Sequence, residues 1–228
     1  MSLYLWINCF VMGTLFLSFD KKVAFYKKFK SLFFSILIVA SIFIPWDIWF
    51  AYKGIWGFNN EYLLGMYFLR LPLEEWLFFI TVPFSCVFIH YVLKAYFKNP
   101  IQLRYTTIFW YVLSVFLLIV GILHYDQLYT FTVFTLCSIA IGIITFINSN
   151  FMKDFLRTYL VCFIPFIIVN GILTGSLTEK PIVWYNEDQI IGWRIGTIPI
   201  EDSVYNMLLV VLVTFFITYF QSKKTSSK

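Results

Sequence analysis

The chain has 228 residues, 61% of them hydrophobic, with a mean hydropathy of +0.81 and only 13% charged side chains. Soluble domains carry about 25% charged residues, so an ordinary soluble domain is excluded and a small integral membrane protein is indicated. The net charge of +5 does not call for a nucleic-acid partner, because the lysines and arginines gather between apolar runs.

Seven stretches approach the about 20 residues that a helix needs to cross a hydrocarbon core about 30 Å thick. They run from Ser2 to Phe19, Ser31 to Trp46, Trp76 to Phe97, Tyr105 to Leu123, Tyr129 to Ile147, Phe155 to Leu173 and Ser203 to Phe220. The second is the shortest and is expected to extend at one end. Basic residues are dense in the first connection (Lys21, Lys22, Lys27, Lys28, Lys30), the third (Lys94, Lys98, Arg104), the fifth (Lys153, Arg157) and the tail (Lys223, Lys224, Lys228). The alternate connections are poorer, with Lys53 and Arg70 in the second, none in the fourth, and Lys180 and Arg194 in the sixth. Positive residues favour the cytoplasmic side. The amino terminus is therefore expected outside and the carboxyl terminus in the cytoplasm.

A repeat organises these segments. Leu71-Pro72-Leu73-Glu74-Glu75-Trp76 returns as Ile198-Pro199-Ile200-Glu201-Asp202-Ser203, 127 positions later. At the same offset Ile55 aligns with Ile182, Phe58 with Tyr185, Asn59 with Asn186, Glu61 with Asp188 and Gly65 with Gly192. The shift also carries the first three segments onto the last three. The expected architecture is all-α, with a three-helix unit at 1–99, a connecting helix at 100–128 and a second three-helix unit at 129–228. The connecting helix makes the two units parallel, so both long loops and both acidic motifs face the same side. In the sixth connection, the β-rich runs Ile182 to Tyr185 and Ile190 to Ile195 flank a polar turn and predict a short hairpin.

Pro72 and Pro199 read as first-turn prolines, which puts Glu74, Glu75, Glu201 and Asp202 in the first turns of the third and seventh helices. Acidic residues there complement the helix dipole without further function. Capping, however, requires neither a pair nor its repetition, and carboxylates in a membrane mark functional sites. These four are the candidate catalytic residues, as acids and bases. Asp47, Trp56, Asn59, Asn170, Trp184, Tyr185, Asn186 and Arg194 are the candidate substrate-binding residues. Arg70 and Arg194 stand as partners of the carboxylates or as anchors to lipid headgroups. His90 reads as a packed, hydrogen-bonded residue, and the four cysteines as small buried hydrophobes. The many aromatics, 28 Phe, 15 Tyr and 8 Trp, suit an interfacial belt or a cavity wall that stabilises a carbocation.

There is no Gly-rich dinucleotide fingerprint, no phosphate loop, and no His-x-x-x-His or Cys-x-x-Cys pair. Neither cofactor nor metal is expected. The seventh segment has no lysine before Lys223, which excludes a retinal Schiff base. Two classes remain open: an enzyme doing acid–base chemistry on an apolar substrate, and a small transporter or channel with carboxylates at a repeat interface.

Pro72-Leu73-Glu74-Glu75, Pro199-Ile200-Glu201-Asp202, Trp46-Asp47, Gly54-Ile55-Trp56 and the parallel duplication resemble the membrane-integral lycopene cyclases of the heterodimer type. The resemblance is to the form in which two three-helix subunits are fused, which also makes up part of the fungal cyclase/phytoene synthases. It covers essentially the whole chain. The second copy departs from the first with Asp202 in place of Glu75, and with Asn170 where the first has Asp47. The resemblance implies redox-neutral cyclisation of the ψ ends of lycopene to β rings, through γ-carotene to β-carotene. It also implies a carotenoid substrate, membrane lipid surroundings and contact with other enzymes of carotenoid synthesis. Cyclases for another chain length or ring type share the same pattern. On this reading, replacing Glu74 or Glu201 by Gln removes most of the turnover.

Overall fold

A computed structural model describes residues 2–97 and 105–226. Lys98, Arg104 and Lys228, three of the basic residues used to assign orientation, lie outside the described residues, as do the unit boundaries at 99 and 100.

The apolar runs fold as helices because, within a bilayer, each backbone N–H and C=O must be satisfied inside its own segment. Among the described residues, six helices are long and apolar enough to cross a membrane. They are α3 (Phe29–Lys53), α4 (Leu73–Tyr96), α5 (Thr106–Leu123), α6 (Leu128–Ile147), α7 (Ser149–Leu173) and α8 (Ile200–Ser226). The second predicted segment extends at both ends, to Phe29 and Lys53, and Gly54 closes it in the left-handed conformation at φ 68°. Pro45, Pro83 and Pro165 lie inside α3, α4 and α7.

The first predicted segment differs from expectation. It forms α1 (Leu3–Met12) and the single turn α2 (Thr14–Leu17), parted at Gly13. From Leu3 to Leu17 this gives about 22 Å of helix at 1.5 Å per residue, short of a full hydrocarbon core.

Both long connections end in the same small device. β2 (Tyr67–Phe68) pairs with β3 (Leu71–Pro72), and β5 (Arg194–Ile195) with β6 (Ile198–Pro199), in matching register: Tyr67 opposite Pro72 and Arg194 opposite Pro199. Pro72 and Pro199 thus end a strand immediately before the helix, rather than standing in its first turn. The amide of the next residue closes each ribbon, Leu73 N to Met66 O and Ile200 N to Trp193 O, both at 2.9 Å. In the first ribbon the turn residues Leu69 and Arg70 both have positive φ, 51° and 69°, a conformation that suits Asn and Gly. Leu69→Asn is accordingly expected to stabilise the protein by about 1 kcal/mol, raising Tm by about 2–4 °C in a thermal melt in detergent.

The hairpin predicted within the sixth connection does not form. β4 (Val183–Tyr185) instead pairs antiparallel with β1 (Trp56–Phe58) of the second connection, Trp56 opposite Tyr185 and Phe58 opposite Val183. The two long loops are thereby joined on one face of the molecule. Gly57 makes the pairing possible, since a Cβ there would lie 2.3 Å from Cζ2 of Trp184.

Below the joined loops, α1 packs on α4 and α6 on α8, while α3 crosses to α8 and α7 to α4. One apolar core runs between them, including Phe43, Phe79, Val133, Phe155 and Val210. The connecting helix α5 lies close along α6, where Ser114 Oγ donates to Ser138 O (2.8 Å) and Ser138 Oγ to Ser114 O (2.6 Å). Small residues at such a seam let helix backbones approach closely.

Candidate functional site

Successive residues on a helix point about 100° apart, so the two acids of each motif are directed differently. Glu74 and Glu201 turn toward the loops and are fully buried. Glu74 Oε1 accepts from Ser2 Oγ (2.6 Å) and from the amide of Leu64 (2.7 Å). Glu201 Oε1 accepts from Thr130 Oγ1 (2.7 Å) and from the amide of Ile191 (2.7 Å). In each, Oε2 has no partner among the described residues. Each glutamate therefore ties its loop to the start of another helix.

Glu75 and Asp202 turn the other way, into a shared cavity of about 560 Å³. Glu75 Oε2 accepts from the Tyr4 hydroxyl at 2.6 Å. Asp202 takes more: Oδ1 from Tyr129 OH (2.7 Å), and Oδ2 from Tyr185 OH (2.7 Å) and Asn170 Nδ2 (2.6 Å). Asp47 of α3 also faces the cavity, and its Oδ1 accepts from Tyr205 OH at 2.8 Å. Three buried carboxylates thus meet four tyrosine hydroxyls in a mostly apolar space, whose other polar side chains are Thr14, Ser85, Asn170 and Asn206. Burial, and secondly the neighbouring Asp202 charge, push the Tyr185 hydroxyl well above its ordinary pKa, so it remains a donor.

The roof of the cavity is aromatic. Trp56 lies 5.0 Å from Tyr129, 6.1 Å from Tyr205 and 6.4 Å from Tyr185, and the Tyr129 and Tyr185 rings stack at 5.9 Å. The walls follow single helix faces: on α4, Glu75, Phe78, Val82, Cys86 and Ile89 recur at helical spacing. Glu75 and Ile89 lie fourteen positions apart on α4, a depth of about 21 Å.

Of the residues singled out from sequence, Asp47, Trp56, Glu75, Asn170, Tyr185 and Asp202 share this cavity. Trp184 does not, because alternate residues of a strand face opposite ways and Tyr185 is the one turned inward; Trp184 is 42% exposed. Asn59 and Asn186 cap short 3-10 turns, accepting from Glu61 N (3.1 Å) and Asp188 N (3.0 Å). Arg194 does not pair with the helix-start acids. Its guanidinium binds Glu187 Oε1 at 2.6 Å and Thr197 O at 2.7 Å. Arg70 stacks over Tyr52, 4.8 Å from the ring centroid. His90 is buried, with Nδ1 2.7 Å from Thr158 Oγ1. Cys86, Cys137 and Cys162 are buried, whereas Cys9 is exposed.

Several residues of the site escaped the sequence reading: Ser2, Tyr4, Tyr129, Thr130, Tyr205 and Asn206. The available signal was a hydroxyl residue beside a tyrosine at the start of the first and fifth segments. The 127-residue offset hides it, because Ser2 and Tyr4 are spaced by two and Tyr129 and Thr130 by one. Asn170 likewise aligns with Phe43 at that offset, not with Asp47. Asn206 lines the cavity one turn beyond Asp202, and its Nδ2 has no partner among the described residues.

Apolar helices long enough to cross a membrane, around a mostly apolar cavity that holds buried carboxyls, define an integral membrane protein. A protein-family model described as lycopene cyclase matches residues 1–93 and 126–220, well over half of the chain. The chain belongs to the lycopene cyclase family, and is an enzyme of the carotenoid cyclase kind with a carotenoid substrate. No curated protein and no solved structure matches it.

Proposed function

We propose that the protein is a lycopene β-cyclase, an intramolecular lyase that makes β rings from the ψ ends of lycopene without change of redox state. The observation that carries this is the presence of Glu75 and Asp202 in one apolar cavity. Glu75 has a single hydrogen bond, leaving Oε1 without a partner among the described residues. Asp202 serves only as an acceptor, from three donors, the behaviour of an ionised carboxyl.

Glu75 then gives its proton to carbon 2 of the ψ end, leaving a tertiary cation at carbon 1. The double bond between carbons 5 and 6 attacks that cation, closing the ring and moving the positive charge to carbon 5. Asp202 removes the proton from carbon 6, and the new double bond completes the β ring. One proton is added and one removed, so no oxidant or reductant enters the balance. Trp56, Tyr129, Tyr185 and Tyr205 present ring faces and edges around the reacting end, each cation–π contact being worth about 0.5–2 kcal/mol. Asp47 adds a further negative group near the cation. The apolar walls keep out water, which would quench it. Glu74 and Glu201 act as positioning residues, holding the loops over the cavity, and the loss of turnover first expected at those two positions moves to Glu75 and Asp202.

The same reading includes seven passes, two parallel three-helix units at 1–99 and 129–228, and the amino terminus outside. Pairing of β1 with β4 supports the parallel arrangement, since it requires both long loops on one face. The two halves differ at the cavity. The packed pair Phe43 and Phe79, 6.2 Å apart, is replaced 127 positions on by Asn170 and Asn206, which line the cavity. That difference supports one composite site, working on one end of lycopene at a time.

The test is chromatography of pigments from a lycopene-accumulating host that makes this chain alone. β-Carotene is expected, preceded by γ-carotene at limiting enzyme. Unchanged lycopene with the protein in the membrane would count against the activity, and β-carotene with no monocyclic precursor against the single site.

A further inference from the structure

Among the described residues, the side-chain hydrogen bonds that α1 and α2 make to other helices all go to α4. Tyr4 reaches Glu75, Asn8 reaches the Glu74 carbonyl (3.1 Å) and Thr81 (2.7 Å), and Thr14 meets Ser85 at 2.8 Å. Toward α7 the side chains that gather at the loop end are apolar, Tyr4 and Ile7 clustering with Leu173 and Val169. Further along, the cavity lies between the two. Of all the residues lining it, the exposed ones are Cys9, Phe10, Leu17 and Pro165, which belong to α1, α2 and α7 alone. Phe10 is 81% exposed and Leu17 61%. The cavity therefore opens sideways, between the short first helix and α7, at the depth of the membrane core.

Resting on the cyclase reading above, we infer that this slit is the way by which the polyene passes from the bilayer to the carboxylates. The substrate slides in end first, past Cys9 and Leu17 on one side and Pro165 on the other. The path is mostly apolar, and the hydroxyls of Thr14 and Ser85 on its wall are bonded to each other at 2.8 Å, so the hydrocarbon displaces no hydrogen bond there. Its depth of about 21 Å along α4 is less than the length of lycopene, which is about that of the hydrocarbon core, about 30 Å. The far end consequently remains in the lipid while the near end is cyclised. A second ring requires withdrawal and return by the other end. The break at Gly13 and the bond from Thr14 to Ser85 hold α2 against α4, away from α7, and keep the slit open.

Cys9 on the rim offers a direct probe. The protein, in membranes with and without lycopene, is treated with N-ethylmaleimide, and alkylation of Cys9 is followed by peptide mass spectrometry while lycopene conversion is measured in parallel. A second cysteine, from Ile119→Cys on the exposed face of α5, reports general effects of the carotenoid on the membrane. At lycopene about ten times its Kd, alkylation of Cys9 is expected to slow about tenfold, with the α5 cysteine unchanged. If lycopene is converted while Cys9 reacts at the same rate, the slit is refuted and the cyclase reading stands. Equal slowing at both cysteines also overturns the slit. Absence of both conversion and protection overturns the cyclase reading, and the slit with it.

Discussion

Glu75→Gln is expected to lower lycopene turnover by about 10²- to 10⁴-fold, the contribution typical of a positioned general acid, with the protein inserted at its normal level. Gln retains an oxygen to accept from Tyr4 OH, so the geometry survives while the transferable proton is lost. Asp202→Asn is expected to fall by as much for a different reason. Of the three donors converging on Asp202, at least one must then face an NH₂ group instead of an oxygen, and no base remains for carbon 6. The measurement is initial rate by pigment chromatography in membranes, normalised to protein. Near-native turnover in either variant would remove that residue from the mechanism. Equal loss in both, together with accumulation of a ring-closed product hydroxylated at carbon 5 in Asp202→Asn, would identify the aspartate as the group acting after the ring closes.

What could be read from the sequence was whatever repeats in register. Asn59 and Asn186 cap equivalent turns, Gly65 and Gly192 both take positive φ (78° and 85°), and the two acidic pairs open equivalent helices. Local turn chemistry dictates each of these, so a one-dimensional comparison finds them. The pairing of β1 with β4 is different. Three-residue strands carry little periodicity, and nothing local to Val183, Trp184 and Tyr185 says that the partner lies in the other half of the chain. Local pattern favoured a hairpin, and the tertiary arrangement overrode it. Gly13 was passed over for a similar reason, because an apolar run scores as a helix whether or not it is broken. The division of labour within each acidic pair lay below the sequence altogether. Adjacent carboxylates look equivalent in a string, and only the 100° step of the helix sends one to the loop and the other to the cavity.

That division leads to the second large effect, on stability instead of chemistry. Glu201→Ala leaves the Ile191 amide and the Thr130 hydroxyl without their acceptor. Each unpaired buried donor costs about 1–3 kcal/mol, which together is a sizeable part of a total stability of about 5–15 kcal/mol. Tm in detergent is expected to fall by roughly 10 °C, and Glu74→Ala should cost less, because the Leu64 amide loses its acceptor while Ser2 Oγ still donates to Tyr62 O at 2.8 Å. Glu201→Gln keeps an oxygen where Oε1 stands and should remain within about threefold of native turnover, less than about 1 kcal/mol in the barrier. The contrast between Ala and Gln at the same position separates a residue that holds the loop from one that supplies a proton. A carboxyl needed for its proton fails in both variants, whereas one needed as an acceptor fails only in Ala. If Glu201→Gln melts like the native protein yet stops the reaction, the proton resides at Glu201, and the unpartnered Oε2 of Glu201 is the place from which it leaves.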